Sequence, residues 1–347
     1  MTLRTSICET LDIKYPIFAA GMGGVTMAPL TAAISAAGGC GVLGATFCTA
    51  DELRAEIRAV REITDQPFGV DLLIPGDIPE DLSAREVPPF PEFLEDLVPK
   101  IEGLKGNPPP PLTIELARAQ VKVTLEEKVP LMVSALGTPP WLIEECHAVG
   151  TKVMSMVGAV RHAKRLEDMG VDIIVAQGME AGGHVGTVTT MVLVPGVVDS
   201  VSIPVLAAGG IIDGRGVAAG LMLGAQGAWI GTRFIATEEA TAPKAHKQGI
   251  IRADENGTVV SRCYTGKPSR VLKNEFTSRW HGRDNELLPM PWQRMRVEKL
   301  VAPAKAAGMP EIANFPTGQA ASAINDIPKA ADVFRQIVDE TEGALSR

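Results

Sequence analysis

The residues best suited to chemistry lie together in Ala176-Gln-Gly-Met-Glu-Ala-Gly-Gly-His184, where one histidine follows a glycine pair just after the strand-like run Val171-Asp-Ile-Ile-Val175. Glycines that interrupt a buried strand pattern mark points where no side chain is tolerated, because the backbone turns at positive φ or because a ligand lies against it. A neutral imidazole accepts a proton near physiological pH and the protonated ring donates one, so His184 suits proton abstraction or the holding of an anion. Glu180, the one carboxylate in the motif, is a candidate second acid near the site, although a helix start favours acids on electrostatic grounds alone. His147, His162 and His246 fall in helical or cap segments where a surface position is the default, and His281, in Arg279-Trp-His-Gly282, is a weak candidate for the cap side of the pocket.

The elements that must position this motif are eight short apolar runs bounded by glycine or proline: Ile17-Ala20, Cys40-Ala45, Phe68-Ile74, Leu131-Leu136, Lys152-Val157, Asp172-Gln177, Pro204-Ala208 and Ala228-Thr232. Helix-length amphipathic segments separate most of them, such as Ala50-Thr64, Pro139-Val149, Val160-Met169 and Gly214-Leu223, and several end in glycine before the next run. Parallel strands joined by helices are buried on both faces, which explains runs that are continuously apolar instead of alternating. The pattern predicts an α/β fold, a (β/α)8 TIM barrel, with a doubly wound open sheet as the alternative. Barrel sites lie at the C-terminal ends of the strands, and phosphates bind at the loops after strands seven and eight. Here those loops read Ala208-Gly209-Gly210-Ile211 and Ile230-Gly231-Thr232-Arg233, offering bare backbone N–H groups and one hydroxyl.

Two stretches break the rhythm. Residues 75-111 are rich in proline and acid and read as a solvated surface excursion with one short helix over 93-101, or else as a lid on the barrel mouth. Residues 237-310 read as a smaller, mainly helical cap inserted near the C-terminus, leaving 1-236 plus 311-347 as the barrel. Within it, positions 262-299 carry nine Lys and Arg against four acids, which favours an anionic substrate, a dinucleotide or an acyl carrier, or simply makes solvated helix faces. The segment 327-341 is an amphipathic helix expected to return to the barrel.

Composition limits the alternatives. With 46% hydrophobic and 21% charged residues in 347, the chain can bury a large core. A net charge of -8 and 4% aromatics disfavour nucleic acid, whose binding needs phosphate neutralisation and base stacking. Five scattered cysteines with no C-x-x-C pair argue against a disulfide framework or structural zinc, and no metal is expected. Neither a secretory peptide nor a membrane-length apolar run is visible, so a cytoplasmic protein without membrane contact is the expectation, with the oligomeric state open to a homodimer.

Ala-Gln-Gly-x-Glu-Ala-Gly-Gly-His at 176-184, Ala-Ala-Gly-Gly-Ile-x-Asp-Gly-Arg-Gly at 207-216 and Leu-Gly-Ala-x-Gly-x-x-x-Gly-Thr-Arg-Phe at 223-234 together resemble the nitronate monooxygenase (2-nitropropane dioxygenase) family. That family consists of FMN-dependent TIM-barrel oxidoreductases and also includes FMN-dependent enoyl-acyl carrier protein reductases and NADH:quinone reductases. The resemblance implies that Ala20, Gly21 and Met22 face the flavin, that Lys152 approaches its N1/O2 side, and that Gln177 hydrogen-bonds it. It further implies Gly182 and Gly183 against the cofactor, Gly209, Gly210, Gly231 and Thr232 at its phosphate, His184 on the substrate side, and Gln319 in a late Gly-Gln element. A lysine near N1 would stabilise the negative charge of reduced flavin. One departure is Phe68-Gly-Val-Asp71, where the family usually has asparagine; an ionised Asp71 only accepts, and so would take flavin or ribityl donors.

The activity implied is oxidation of nitronates or nitroalkanes by FMN and O2, with a small-molecule substrate and His184 as base or nitronate holder. The alternative is an NAD(P)H-dependent reductase of an enoyl thioester or quinone. From outside the enzymes, a flavin-storing or regulatory binding protein would need no reactive histidine.

Overall fold

A computed structural model of the chain describes residues 3–74, 87–104, 110 and 112–346. The strands, in chain order, are β1 (Ile17–Ala19), β2 (Cys40–Gly44), β3 (Phe68–Leu73), β4 (Leu131–Ala135), β5 (Lys152–Val157), β6 (Ile173–Gln177), β7 (Gly183–His184), β8 (Val205–Ala208), β9 (Gly227–Ile230), β10 (Thr258–Ser261) and β11 (Ser269–Leu272). Eight of them close a parallel barrel in the order β1-β2-β3-β4-β5-β6-β8-β9, with β1 pairing back onto β9. The eight apolar runs are these eight strands, and the open-sheet alternative is excluded by closure.

Two apolar layers account for the continuous burial of the strands. Side chains such as Val70, Leu72, Ile174 and Ala207 point outward and pack under the surrounding helices. Their neighbours in sequence, among them Phe18, Val133, Met154, Val175 and Leu206, fill the barrel interior. The N-terminal helix Ser6–Leu11 seals the lower end, where Ile7, Cys8, Leu11 and Ile13 join that interior cluster. One mouth is therefore plugged, and a ligand site is left to the C-terminal ends of the strands. The closing helix, Ala330–Leu345, packs on the helix Gly214–Met222, in line with the expected return to the barrel.

The segment after the barrel contains helices Lys244–Arg252, Glu275–Arg279 and Trp292–Ala306, but also a three-stranded antiparallel sheet in the order β10-β11-β7. Since β7 belongs to the loop after β6, this sheet joins cap and barrel through the histidine motif itself. The mainly helical segment expected from the sequence thus also carries a small sheet. Its core includes Cys263, Tyr264, Phe276, Trp280, Val297 and Leu300, together with Leu94 and Leu97 from the proline-rich stretch. The expected short helix is a 3-10 helix, Glu92–Ile101. It is not a solvated excursion: Phe93 packs edge-on to Trp280 at 5.0 Å, Arg279 pairs with Asp96, and Lys100 pairs with Glu275. Residues 75–86, 105–109 and 111, including five of the ten prolines in that stretch, lie outside the described residues. Among the described residues, no helix is long and apolar enough to cross a membrane.

Candidate active site

The phosphate-type loops after β8 and β9 meet a third segment that ends the cap. Gly209 and Gly210 turn at φ +103° and +72°, a left-handed pair that other residues adopt only with strain. A Cβ at Gly209 would also lie 2.7 Å from the Thr190 hydroxyl oxygen. Gly231 is different, since its φ is an ordinary -103° and a Cβ there would meet nothing closer than the Met22 sulfur at 3.5 Å. The protein neighbours of Gly231 do not require a glycine there, so its bare backbone is open to approach from the mouth. Beside it, the Thr232 Oγ1 accepts from the Gly318 N–H at 2.8 Å, which leaves its hydroxyl proton free to donate.

The glycine pair of the motif divides in role. A Cβ on Gly182 would sit 2.8 Å from the Gly318 nitrogen, so Gly182 makes room for the 317–318 backbone. Gly183 has φ +79° with no atom near its Cβ direction, so it faces open space. Gln319 anchors through its backbone, its N–H donating to the Glu180 carbonyl at 2.8 Å, while its side chain is exposed.

His184 is half-buried on β7, opposite Ser269 of β11. Its Nε2 lies 2.9 Å from the Thr265 hydroxyl, which itself donates to the Lys267 carbonyl at 3.2 Å. Assigning the hydroxyl proton to that carbonyl places the imidazole proton on Nε2 and leaves the lone pair on Nδ1. Burial, with the nearby Lys267 charge, pushes the imidazole down to about 4, so it is neutral at physiological pH. Gln177, at the end of β6, donates from Nε2 to the His184 carbonyl at 2.7 Å and so fixes the loop that carries the imidazole.

Ala20, Gly21 and Met22 follow β1 at the same mouth, with Met22 packed at the junction of the barrel interior and the outer core. Asp71 points inward, since its flanking residues Val70 and Leu72 belong to the outer layer and its register partner Val133 to the interior. Burial drives its carboxyl well above the usual range and so works against the ionised form expected from the sequence.

Lys152 does not belong to this site. It is the first residue of β5, paired with Leu131 at the start of β4, and thus stands at the plugged end of the barrel. Its ammonium is 3.0 Å from Asp172 and half-exposed. A strand of this length rises about 3.3 Å per residue, so some five residues separate it from the mouth. The apolar run identified the strand, but strand direction decides which end a residue occupies.

Several residues that the sequence left unassigned hold the site together. Glu180 accepts from both the backbone N–H and the hydroxyl of Thr190, at 3.0 and 2.9 Å, and so caps the helix Thr190–Val198. Buried Arg270 donates to the Met179 carbonyl at 3.0 Å and to the Thr258 hydroxyl at 3.2 Å, tying the motif loop to the cap sheet. His246 is not on the surface: it stacks on Phe315 at 4.7 Å and lies 3.0 Å from the Thr317 hydroxyl, behind the loop that meets Gly182. Burial pushes His246 down to about 3.

The basic excess of the cap is largely consumed internally. Arg279, Arg283 and Arg294 pair with acids, while Arg262 and Arg296 donate to carbonyls. Near the mouth, the Arg294 guanidinium, although paired with Glu298, and the Lys305 ammonium each lie 5.6 Å from the Phe47 ring centre. Phe47 follows β2 and rests on Gly23, where a Cβ would come within 3.0 Å of its ring.

A (β/α)8 barrel with glycine-rich loops after its last two strands and a histidine on the loop after β6 defines a TIM-barrel protein with a candidate ligand site at the C-terminal mouth. Comparison with known proteins fixes the family, because residues 4–340 match the family described as nitronate monooxygenase. The chain belongs to the nitronate monooxygenase family. It is 32% identical to a probable nitronate monooxygenase of Staphylococcus saprophyticus, over 100% of both chains. Among solved structures it is similar to a nitroalkane oxidase from Streptomyces ansochromogenes, with a TM-score of 0.87, 30% identity and 99% of each chain covered. It is also similar to FabK from Thermotoga maritima, with a TM-score of 0.80, 34% identity, and 99% and 98% of the two chains covered.

Proposed function

We propose that this oxidoreductase binds FMN at the barrel mouth and oxidises nitronates, and more slowly nitroalkanes, with O2 to a carbonyl compound and nitrite. The observation that carries the reading is the bare backbone at Gly231 beside the free hydroxyl proton of Thr232, a cradle that its own protein neighbours do not explain. Gly209, Gly210, Gly231 and Thr232 would hold the phosphate, with Ala20, Gly21, Met22 and Gly183 walling the ring and Gln177 setting the loop beside it. FMN supplies the redox chemistry when bound. His184 works on the substrate side: its Nδ1 accepts a proton or its ring holds the nitronate group. Because burial keeps this imidazole weakly basic, it suits a substrate that arrives already deprotonated, and hence a nitronate before a neutral nitroalkane.

A second reading is NAD(P)H-dependent reduction of an enoyl thioester or quinone. It is supported by Arg294 and Lys305 at the mouth, where an anionic carrier group would be met, and by the similarity to FabK. The common ground of both readings is tested by the purified protein, which should be yellow and release FMN in about equimolar amount on denaturation. A colourless protein that takes up no FMN overturns both.

A further inference from the structure

The only acid inside the upper barrel layer among the described residues is Asp71, and nothing there compensates a charge on it. The residue is 4% exposed. No described side chain or backbone N–H donates to its carboxyl, although its own backbone carbonyl accepts from the Ala45 N–H at 3.1 Å. The elements packed against it bring Gly44 from β2, Val133 from β4 and Gly21 from the loop after β1, none of them titratable. Beneath it the interior is apolar, from Val133 and Met154 down to Leu131 and Phe18. A carboxylate in such surroundings costs several kcal/mol, and the group avoids the cost by keeping its proton. Burial correspondingly pushes Asp71 well up, with no neighbouring charge contributing.

The position of the acid is as specific as its environment. A Cβ on Gly21 would fall 2.2 Å from the Asp71 Cβ and 2.7 Å from one of its carboxyl oxygens. The carboxyl thus lies directly against the bare backbone of the loop that forms one wall of the mouth. Gly21 is a glycine because Asp71 occupies the space its side chain would need.

Resting on the reading of this mouth as an FMN site, we propose that Asp71 is an uncharged carboxylic acid whose hydroxyl donates a hydrogen bond to an acceptor atom on the edge of the bound ring. A neutral acid offers one donor and one acceptor, whereas an ionised one would only accept and would repel an electron-rich edge. Asp71 therefore acts as a binding residue that selects an acceptor-bearing heteroaromatic edge, and an anionic substrate entering the mouth meets no opposing charge from it. Its closest functional mimic is an amide, not another acid.

Infrared difference spectroscopy of the whole protein labelled with carboxyl-13C aspartate reads the protonation state directly. A protonated-carboxyl C=O band that is isotope-sensitive, absent in Asp71→Asn and moved to lower frequency on adding FMN is the expected result. FMN titrations should give Asp71→Asn an affinity within about threefold of the wild type, and Asp71→Leu a loss of roughly 3- to 10-fold, the worth of one neutral hydrogen bond. An Asp71 that shows only carboxylate bands while FMN is bound would overturn this inference and leave the FMN site standing. So would a band that FMN does not move. Failure to bind FMN at all, with the protonated band present, would bring down the site reading and with it the donor role, while the uncharged acid itself would stand.

Discussion

Substituting Gly231 by alanine separates the needs of the fold from those of a ligand. The backbone at 231 has φ -103°, open to any residue, and the added methyl would meet the Met22 sulfur at 3.5 Å and the Ala20 Cβ at 3.8 Å, both ordinary contacts. Removing a glycine from such a position narrows the unfolded ensemble and stabilises by about 0.4–1 kcal/mol. The apoprotein should therefore melt at or slightly above the wild-type temperature, by roughly 1 °C for a chain of this size. A methyl in the cradle would displace a phosphate from one or two backbone donors, each worth about 1.5–3 kcal/mol to a charged partner. For one such bond the FMN affinity falls roughly 10- to 150-fold. Gly182→Ala is the control, because its methyl would press on the backbone of Thr317 and Gly318 at 2.8 Å and lower the stability of the apoprotein itself. Fluorescence titration of FMN and melting of the apoproteins read both quantities. Unchanged FMN affinity in Gly231→Ala, or a clear loss of apoprotein stability, would refute the claim that this glycine serves a ligand.

His184→Ala should retain FMN with an unaltered stoichiometry and lose turnover of neutral nitroalkanes more than of nitronates; equal losses in steady-state oxygen uptake would remove the imidazole as a proton acceptor. Lys152→Met should leave flavin affinity and potential unchanged and cost no more than about 1 kcal/mol in urea unfolding, since its pair with Asp172 is half-exposed at the far end of the barrel. Acid should destabilise the fold through His246. Its folded pKa, about 3, lies below the unfolded 6.5, so the contribution is fully present above pH 6.5 and is lost as pH falls towards 3. Between pH 6.5 and 4.5 the loss comes to about 2 kcal/mol, at a slope that rises to 1.36 kcal/mol per unit once the unfolded imidazole is mostly protonated. His246→Gln should flatten urea-derived stability over that window by close to one proton, and an unchanged slope would assign the loss to other groups.

The barrel was legible because a parallel strand buried on both faces prints an unbroken apolar run, and Leu131–Ala135 or Ile173–Gln177 can hardly be read otherwise. The cap sheet was not. β7 has two residues, and β11 buries Ser269 and Arg270 beside Val271, so neither shows the alternation that marks a strand. Long-range pairing, not local pattern, makes these strands. The same holds for His246, which lies on an ordinary helix and is buried only because Phe315 stacks on it from 69 positions later in the chain. At the mouth, the glycines after β8 and β9 carried their role in their spacing, while Gly182, Glu180 and Thr265 acquired theirs from partners that only the fold brings near. Lys152 shows the opposite failure, a residue on the right strand at the wrong end.

The central claim concerns which electron donor this mouth accepts, and anaerobic mixing of the FMN-loaded protein with candidate donors tests it most directly. A nitronate should bleach the flavin absorbance within the turnover time, while NADH and NADPH should not. Bleaching by NADH or NADPH with no response to any nitronate would contradict it and make the protein a reductase.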